Sequence, residues 1–349
     1  MKKRTRSYII AGVLACCLGT IAERSVAQGI HFSQYYNAPM LLNPANTSLM
    51  SDKDFRLGGN YRSQWSSIVP YNTFSAYGDF QVARNHDYSN WLGIGGAIFN
   101  DKAGDGELSL TRFEGCMAYH LSLSEVSMIS GGVSVGYSQR SLNFNKLSYG
   151  MQWDGFRFDP TKLNGEKDGI IKTNFIDVGA GVNYAFFPNE AVYFKVGAGV
   201  AHVNQPTETF YNSTTGNNAG ENKLSMRPTL NIDAQLRINE VFVLNPSLYF
   251  TYQAKSYQAV AGGLGMFYLG GPKERPTQLI LGAYHRVMES VIAVAGMEYA
   301  NTKLMFSYDY TVSSLSVENK GNGAFEMSVI YQGLYGQMGS RRTINCPRF

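Results

Sequence analysis

Charged side chains are scarce in this chain of 349 residues, since Asp, Glu, Lys and Arg make up 16% of it. Soluble globular domains average roughly 25%. Long apolar runs are also missing: after residue 27 none approaches the ~18 consecutive residues that a membrane-spanning helix needs. The mean hydropathy is -0.19. These features argue against a helical membrane protein, and a nucleic-acid binder, a helical bundle and a disordered chain are poor fits.

An excess of positive charge is confined to residues 1–27. The formal net charge is +4, but removing the five basic residues and one acidic residue of that segment from totals of 30 and 26 leaves 25 of each. The segment has a basic head, an apolar stretch over 8–22 and small residues before a cut at Gln28. We predict a cleaved signal peptide over 1–27 and one neutral mature domain over 28–349, with no polyanionic partner.

Cysteine is rare, and two of the four, Cys16 and Cys17, lie in the predicted signal. The alternative to a cut at Gln28 is a lipoprotein signal, with Cys16 as the last residue of a weak lipoprotein box. Cleavage there would cut the apolar stretch in half. Cys116 and Cys346 could pair in an oxidising compartment or remain thiols. Because no spacing of Cys and His suits a metal, we expect no metal and no cofactor.

Alternation of apolar and polar residues is the dominant pattern, in a chain that also holds 37 Gly and 23 Tyr. For example, Leu304, Phe306, Tyr308 and Tyr310 are interleaved with Lys303, Ser307, Asp309 and Thr311. Successive strand side chains point to opposite faces, so such a strand has one apolar and one polar face. We count about fourteen such segments of roughly 10 to 15 residues, which suits tilted membrane strands. The pattern predicts an all-β fold: a closed antiparallel transmembrane β-barrel of about 14 strands.

The links between these segments predict an orientation. The even-numbered links are short, whereas the odd-numbered ones include residues 141–171, 205–223 and 313–322. Outer-membrane barrels have short periplasmic turns and longer external loops. We therefore predict that short and longer links alternate around the whole ring and that both termini are periplasmic. Residues 28–51 would then be a leading periplasmic segment and 336–349 a periplasmic tail.

Charged residues on the predicted inward faces are candidates for the lumen. They are Arg62, Arg140, Asp177, Asp233, Arg237 and Asp309. In a narrow or plugged barrel they would pair across the interior, and in a water-filled barrel they would line a selective path. Asp233 and Arg237 lie about 13 Å apart along one strand face, so they cannot pair with each other.

Aromatic residues outside the strands are candidates for partner contacts. Tyr35 and Tyr36 lie in the leading segment, and Trp153, Phe156 and Phe158 lie in the longest link. The leading segment either plugs the periplasmic mouth or docks partner proteins there. The link either folds inward as a constriction or presents an external binding surface, since aromatic loops are rarely only solvated.

Catalytic patterns are not discernible. No Ser/His/Asp or Cys/His arrangement stands out, and a surface hydrolase would need one. Glycine patterns such as Gly93-Ile94-Gly95-Gly96 lie inside strands, where they would thin the lumen wall, and not between a strand and a helix as in a nucleotide site. We expect no enzyme.

Short motifs spread along the chain resemble one family. The stretch HFSQYYNAPMLLNPANTS from His31, the stretch Tyr61-Arg62-Ser63-Gln64-Trp65 and the tail Cys346-Pro347-Arg348-Phe349 are similar to the PorP/SprF family of Bacteroidetes outer-membrane proteins. Asn100-Asp101-Lys102 before Gly104 and Ser307-Tyr308-Asp309-Tyr310 agree with it. The resemblance covers essentially the mature chain.

The resemblance implies an outer-membrane component of the type IX secretion system. It implies a non-enzymatic role in export or surface attachment of particular cargo proteins, and an association with gliding motility. Its partners would be secreted cargo, other secretion components and outer-membrane lipid. The alternative, which the barrel pattern alone permits, is an outer-membrane channel or transporter for small or hydrophobic solutes.

Overall fold

A computed structural model describes residues 32–335, apart from gaps at 51–52, 66–68, 86–88, 105, 160, 163–168, 209–222 and 272–276. The predicted signal peptide, the tail and Cys346 lie outside the described residues, so those predictions stay open. Cys116 is a buried free thiol.

Fourteen antiparallel strands form one closed barrel, which confirms the predicted fold. Each strand pairs with its neighbours in the chain, and β1 pairs with β14 to close the ring. The strands are β1 (Phe55–Gln64), β2 (Tyr71–Val82), β3 (Trp91–Ala103), β4 (Leu108–Ser124), β5 (Ser127–Asn143), β6 (Ile170–Asn189), β7 (Val192–Ala201), β8 (Arg227–Arg237), β9 (Phe242–Gln253), β10 (Ser256–Gly270), β11 (Thr277–Arg286), β12 (Ser290–Tyr299), β13 (Thr302–Thr311) and β14 (Asn322–Gly333).

The alternation of residues along each strand determines which side chains face outward. In β13, Leu304, Phe306 and Tyr308 are exposed on the outer wall, whereas Ser307 and Asp309 are buried inside. A closed ring pairs every strand on both sides, which satisfies the backbone groups that hydrocarbon cannot. The apolar outer wall and the closed ring are the two properties that a membrane barrel requires.

The links divide the barrel into two ends. We name them the even-link end, where β2–β3, β4–β5 and the other even-numbered links lie, and the odd-link end. The links over residues 144–169, 202–226 and 312–321 are all at the odd-link end. The predicted alternation around the whole ring is nevertheless wrong, because β9–β10 and β11–β12 at the same end are joined by residues 254–255 and 287–289 alone. Tight hairpins on that side make its rim uneven.

Residues 32–50 lie inside the barrel. They form a 3-10 turn (Tyr35–Asn37), a one-turn helix α1 (Pro39–Leu42) and a second 3-10 turn (Pro44–Asn46). Prolines begin α1 and the second turn, where their missing N–H groups cost nothing. The only other α-helix in the described ranges is α2 (Ser316–Asn319), in the β13–β14 link, and two further 3-10 turns (Phe144–Lys146 and Gly150–Gln152) lie in the β5–β6 link. We call residues 32–50 the plug.

The plug runs from one end of the barrel towards the other. Ser33 contacts Asp309 near the odd-link end of β13 and Arg286, the last residue of β11. Ser48 contacts Asp79 towards the even-link end of β2. The first described residues therefore lie inside the barrel near its odd-link end. Of the two alternatives for the leading segment, this internal position agrees with a plug, and its periplasmic location stays a prediction. Tyr335 closes the described chain at the even-link end, where its N–H donates to Asp54.

Candidate functional site: an internal plug and an external aromatic link

Four buried charges hold the first residues of the plug. Arg62 of β1 binds Asp309 of β13 at 2.9 Å and Glu326 of β14 at 3.1 Å. Arg286 of β11 binds the same Asp309 oxygen at 3.2 Å. We call Arg62, Arg286, Asp309 and Glu326 the four-charge cluster. Two cations and two anions neutralise each other there, which is how charges are kept in a low-dielectric interior.

Plug residues complete this cluster. The backbone N–H groups of Ser33 and Gln34 donate to the two carboxylate oxygens of Glu326 at 2.8 and 3.0 Å. The hydroxyl of Ser33 donates to Asp309 at 2.6 Å and accepts from Arg286 at 2.8 Å. Bonds to charged groups are about twice as strong as neutral ones. The cluster is therefore an anchor as well as an ionic pair network.

Amide side chains fix the middle of the plug. Asn43 donates to Asn183 of β6 at 3.0 Å, while Asn46 accepts from Asn183 at 3.0 Å and from Lys195 of β7 at 2.9 Å. Lys195 also binds Asp233 of β8 at 3.3 Å. Because an amide offers both donors and acceptors, two asparagines satisfy the polar wall of three strands without adding charge.

The last plug residues are held at the even-link end. The N–H of Ser48 donates to Asp79 at 2.6 Å. Arg56 donates to the same carboxylate from Nε at 3.0 Å and from Nη2 at 2.6 Å. The carbonyl of Ser48 accepts from the indole of Trp91 at 3.0 Å, and that of Thr47 contacts Nε2 of His120 at 2.8 Å. Charged and aromatic side chains thus hold the plug at both of its ends.

Glycines in the wall let the plug approach the strands closely. A Cβ at Gly132 of β5 would lie 2.5 Å from the backbone carbon of Pro44, and one at Gly93 of β3 would lie 2.5 Å from the carbonyl oxygen of Thr47. Backbone atoms at that distance cannot give way. The prediction that in-strand glycines thin the wall agrees with this geometry, and the space is filled by the plug.

The wall opposite these glycines is apolar. Val260, Leu264, Met266, Ile280, Ile292, Val294 and Met305 are buried on the inner faces of β10 to β13. Tyr35 and Tyr36 of the plug pack against this wall, Tyr35 on Tyr249 with ring centroids 5.3 Å apart and Tyr36 on Tyr284 at 5.4 Å. Sequence reasoning expected a polar lumen and proposed these two tyrosines as partner contacts. The structure places them in internal packing.

The remaining predicted lumen residues lie in separate groups. Asp177 of β6 binds Arg112 of β4 at 2.7 Å and lies 2.9 Å from His202, whose pKa is lowered by burial against the opposing effect of Asp177. Arg140 binds Glu208 of the 202–226 link at 2.6 Å, and burial raises the pKa of that carboxyl while Arg140 lowers it.

Asp233 and Arg237 do not pair with each other. Asp233 binds Lys195 of the neighbouring strand β7, and Arg237 is half-buried at the end of β8. Of the six predicted residues, only Arg62 and Asp309 are joined directly.

Three aromatic residues project from the longest link. Trp153 and Phe158 form an isolated antiparallel bridge and their ring centroids are 5.3 Å apart. Phe156, at the turn between them, is 93% exposed. The N–H groups of Phe156 and Arg157 both donate to Asp154 at 2.7 Å, which shapes this turn. A large apolar ring held in water by an ordered turn is typical of an interaction surface.

Several interior residues escaped sequence reasoning. Glu326 and Arg286 complete the four-charge cluster, but each is a single charge in its strand. Only the register across the closed ring brings Glu326 to Arg62 and Arg286 to Asp309. In the described part of the chain, no group of three or more His, Cys, Asp or Glu could hold a metal ion. Nor does any helix described in the structure have the length and apolarity to cross a membrane.

An antiparallel ring with an apolar outer wall and an internally anchored plug defines an outer-membrane β-barrel protein. Comparison with protein families then identifies it: residues 25–331 match the type IX secretion system membrane protein PorP/SprF. The chain belongs to the PorP/SprF family, which is not known to be enzymatic, and the resemblance inferred from its motifs is confirmed. No curated protein matches the chain.

Solved structures show the same architecture at low identity. The toluene transporter TbuX of Ralstonia pickettii superposes with a TM-score of 0.55 at 12% identity, covering 86% of this chain and 94% of its own. The toluene transporter TodX of Pseudomonas putida gives 0.52 at 9% identity with the same coverage. A FadL homologue of Pseudomonas aeruginosa gives 0.50 at 9% identity, covering 83% and 92%. These likenesses concern the fold alone.

Proposed function

We propose that this barrel, whose lumen is filled by the plug, is an outer-membrane component of type IX secretion. It supports export or surface attachment of particular cargo proteins. The odd-link end faces the outside and presents the 144–169 link to the cargo. The even-link end faces the periplasm, contacts other secretion components and leads into the C-terminal tail. Gliding motility is a further role that we propose for the same component.

The observation that carries the proposal is the exposed aromatic turn at Trp153, Phe156 and Phe158. An apolar ring that is 93% exposed contributes almost nothing to the stability of the barrel. Trp, Tyr and Phe are enriched where binding energy is concentrated in protein interfaces. The plug supports the same reading, because an interior crossed by a hydrogen-bonded segment suits a barrel that binds proteins better than one that conducts solutes.

A deletion strain tests this proposal. Proteins on the cell surface are labelled with a membrane-impermeant biotin reagent and quantified by mass spectrometry in wild type, deletion and complemented strains. We expect a small set of surface proteins to be lost and then restored by complementation. Normal surface labelling together with normal motility in the deletion strain contradicts the proposal.

A hydrophobe transporter is the second candidate, and the apolar inner wall of β10 to β13 favours it. A path along Val260, Ile280 and Ile292 would open if the plug moved. The expected result is faster entry of a small aromatic hydrocarbon into proteoliposomes holding the barrel than into empty ones. Equal entry rates, with no conductance in planar bilayers, exclude this candidate.

A further inference from the structure

Strand β6 extends beyond its neighbour β7 at the odd-link end. It pairs with β5 from Phe186, opposite Ser127, up to Ile170, opposite Asn143. Its pairing with β7 begins only at Ala180, opposite Val200. Past that point, Asn204 donates to the carbonyl of Ile176 at 2.7 Å and accepts from the N–H of Val178 at 3.1 Å. We call residues 170–175 the β6 overhang.

The β6 overhang has one edge that no residue in the described ranges pairs with. Residues of an antiparallel strand bond alternately to the two sides, and Val178 bonds away from β5 through both its N–H and its carbonyl. The N–H and carbonyl groups of Ile170, Lys172 and Asn174 therefore point the same way. Among the residues that the structure describes, none forms a backbone bond to them.

The overhang lies outside the lipid. The outward side chains of β6 are apolar from Ile176 through Val182 to Phe186, a stretch that matches the roughly 9–11 residues of a membrane strand. Beyond Ile176 the outward residues are Asn174, Lys172 and, at the end of the strand, Ile170, and all three are exposed. An unpaired edge is excluded from hydrocarbon but tolerated in water, so the overhang stands just above the membrane surface.

We propose that the β6 overhang binds an extended segment of the exported polypeptide as an added β-strand, an inference that rests on the proposed function. Backbone hydrogen bonds supply the affinity in this mode of recognition, and alternate side chains supply the specificity. The added strand carries an acidic residue opposite Lys172 and an apolar residue opposite Ile170, because cross-strand pairs of opposite charge or of apolar groups are favourable.

Two features favour cargo over a second copy of this barrel. A symmetric antiparallel pairing of two overhangs centred on Lys172 would place two like charges on one face, which is destabilising. The overhang is also continuous with the aromatic link, since residue 169 ends that link and Ile170 begins β6. The aromatic turn and the edge therefore lie at the same odd-link end of the barrel.

Two substitutions of Lys172 distinguish the contribution of its backbone N–H from that of its side chain. Lys172→Pro removes the N–H that points away from β5, and its ring would clash with an added strand. The pairing with β5 is kept, because proline is accepted at an edge whose N–H faces away from the sheet. Lys172→Ala removes only the side chain. For surface proteins that the deletion strain loses, we expect Lys172→Pro to reduce their level to about a tenth and Lys172→Ala to change it less than about threefold.

Amide hydrogen exchange on the purified full-length barrel in detergent provides the second measurement. Ile170, Lys172 and Asn174 should exchange within seconds, whereas Ile171 and Thr173, bonded to β5, should exchange slowly. Slow exchange at all five amides would mean that another part of this chain or a second copy covers the edge, which overturns the proposal. Light scattering, which measures the mass of the particle, then distinguishes a second copy from another part of the same chain.

The outcomes also separate this inference from the proposed function. If the deletion removes surface proteins but Lys172→Pro displays them at the wild-type level, strand addition is wrong and the secretion role stands. If the deletion removes none, both fail. Heat-modifiable migration of each variant on gels verifies that the barrel is folded.

Discussion

The guanidinium of Arg62 on β1 lies 2.9 Å from the carboxylate of Asp309 on β13, and both side chains are 2% exposed. Between these two strands the ring is closed by β14, whose Glu326 lies 3.1 Å from the same arginine. One side chain thus links the first strand to the last two. The plug is bonded to the same three groups through Ser33.

Removing Arg62 should destabilise the barrel strongly. Arg62→Ala leaves the carboxylates of Asp309 and Glu326 buried without the positive charge of Arg62. Breaking a buried ion pair lowers the free energy of unfolding by roughly 3–5 kcal/mol. The measurement is the urea midpoint of unfolding in detergent micelles, followed by heat-modifiable migration on gels. Arg157→Ala is the control, because that side chain is 81% exposed and its pair with Asp154 spans 3.8 Å. Equal midpoints for the two variants would contradict the assigned role of the cluster.

A side chain at Gly132 should displace the plug. Gly132→Val places a branched side chain where the backbone of Pro44 now lies, so the plug has to shift. The matched control is Gly131→Val, one residue along β5, where a Cβ meets nothing within 4 Å.

The readout is the labelling rate of Ala45→Cys by a small water-soluble maleimide, with Cys116 and Cys346 replaced by serine. We expect labelling to rise at least about tenfold for Gly132→Val and to be unchanged for Gly131→Val, since Ala45 is now 0% exposed. Unchanged labelling in both variants would show that the wall does not need its glycine.

Removing the plug should open the barrel. Deletion of residues 33–48 leaves a ring of fourteen strands whose closure by β1 and β14 does not involve the deleted segment. We expect stable ion conductance in planar bilayers, against none for the intact protein, because a 14-stranded ring approaches the size of water-filled porins. A folded but non-conducting deletion variant would mean that the wall collapses on its apolar side.

Phe156 should matter for binding and not for folding. Phe156→Ser should lower the surface level of the dependent proteins about tenfold, because exposed aromatic anchors carry a large share of interface energy. The urea midpoint should not move, since the ring is 93% exposed. Val317→Ser, on another odd-numbered link and 79% exposed, is the control. Equal surface levels for the two variants would remove the aromatic turn from the proposed function.

Strand periodicity was sufficient to predict the barrel from the sequence, because the period of two is local and strong. All fourteen predicted segments correspond to strands, and the inward positions of Arg62 and Asp309 follow directly from that period. Their pairing does not follow, because β1 and β13 are 247 residues apart at the contact and meet only through the register of the closed ring.

The path of the plug was beyond sequence reasoning for a different reason. Residues 32–50 have no periodicity, and their conformation is set by partners on many strands, among them Asp79, Asn183 and Glu326. Tyr35 and Tyr36 are aromatic in the manner of an interface, yet an apolar inner wall accommodates them. Composition cannot distinguish an internal interface from an external one.

Contacts of Ser33 with Asp309 and Glu326 constrain how the molecule assembles. These acids lie on β13 and β14, the last strands to be synthesised, while the segment they hold precedes β1. We expect the hairpin that completes the cylinder to meet β1 with the N-terminal peptide already inside it. Insertion into the bilayer and enclosure of that peptide would then occur in one step.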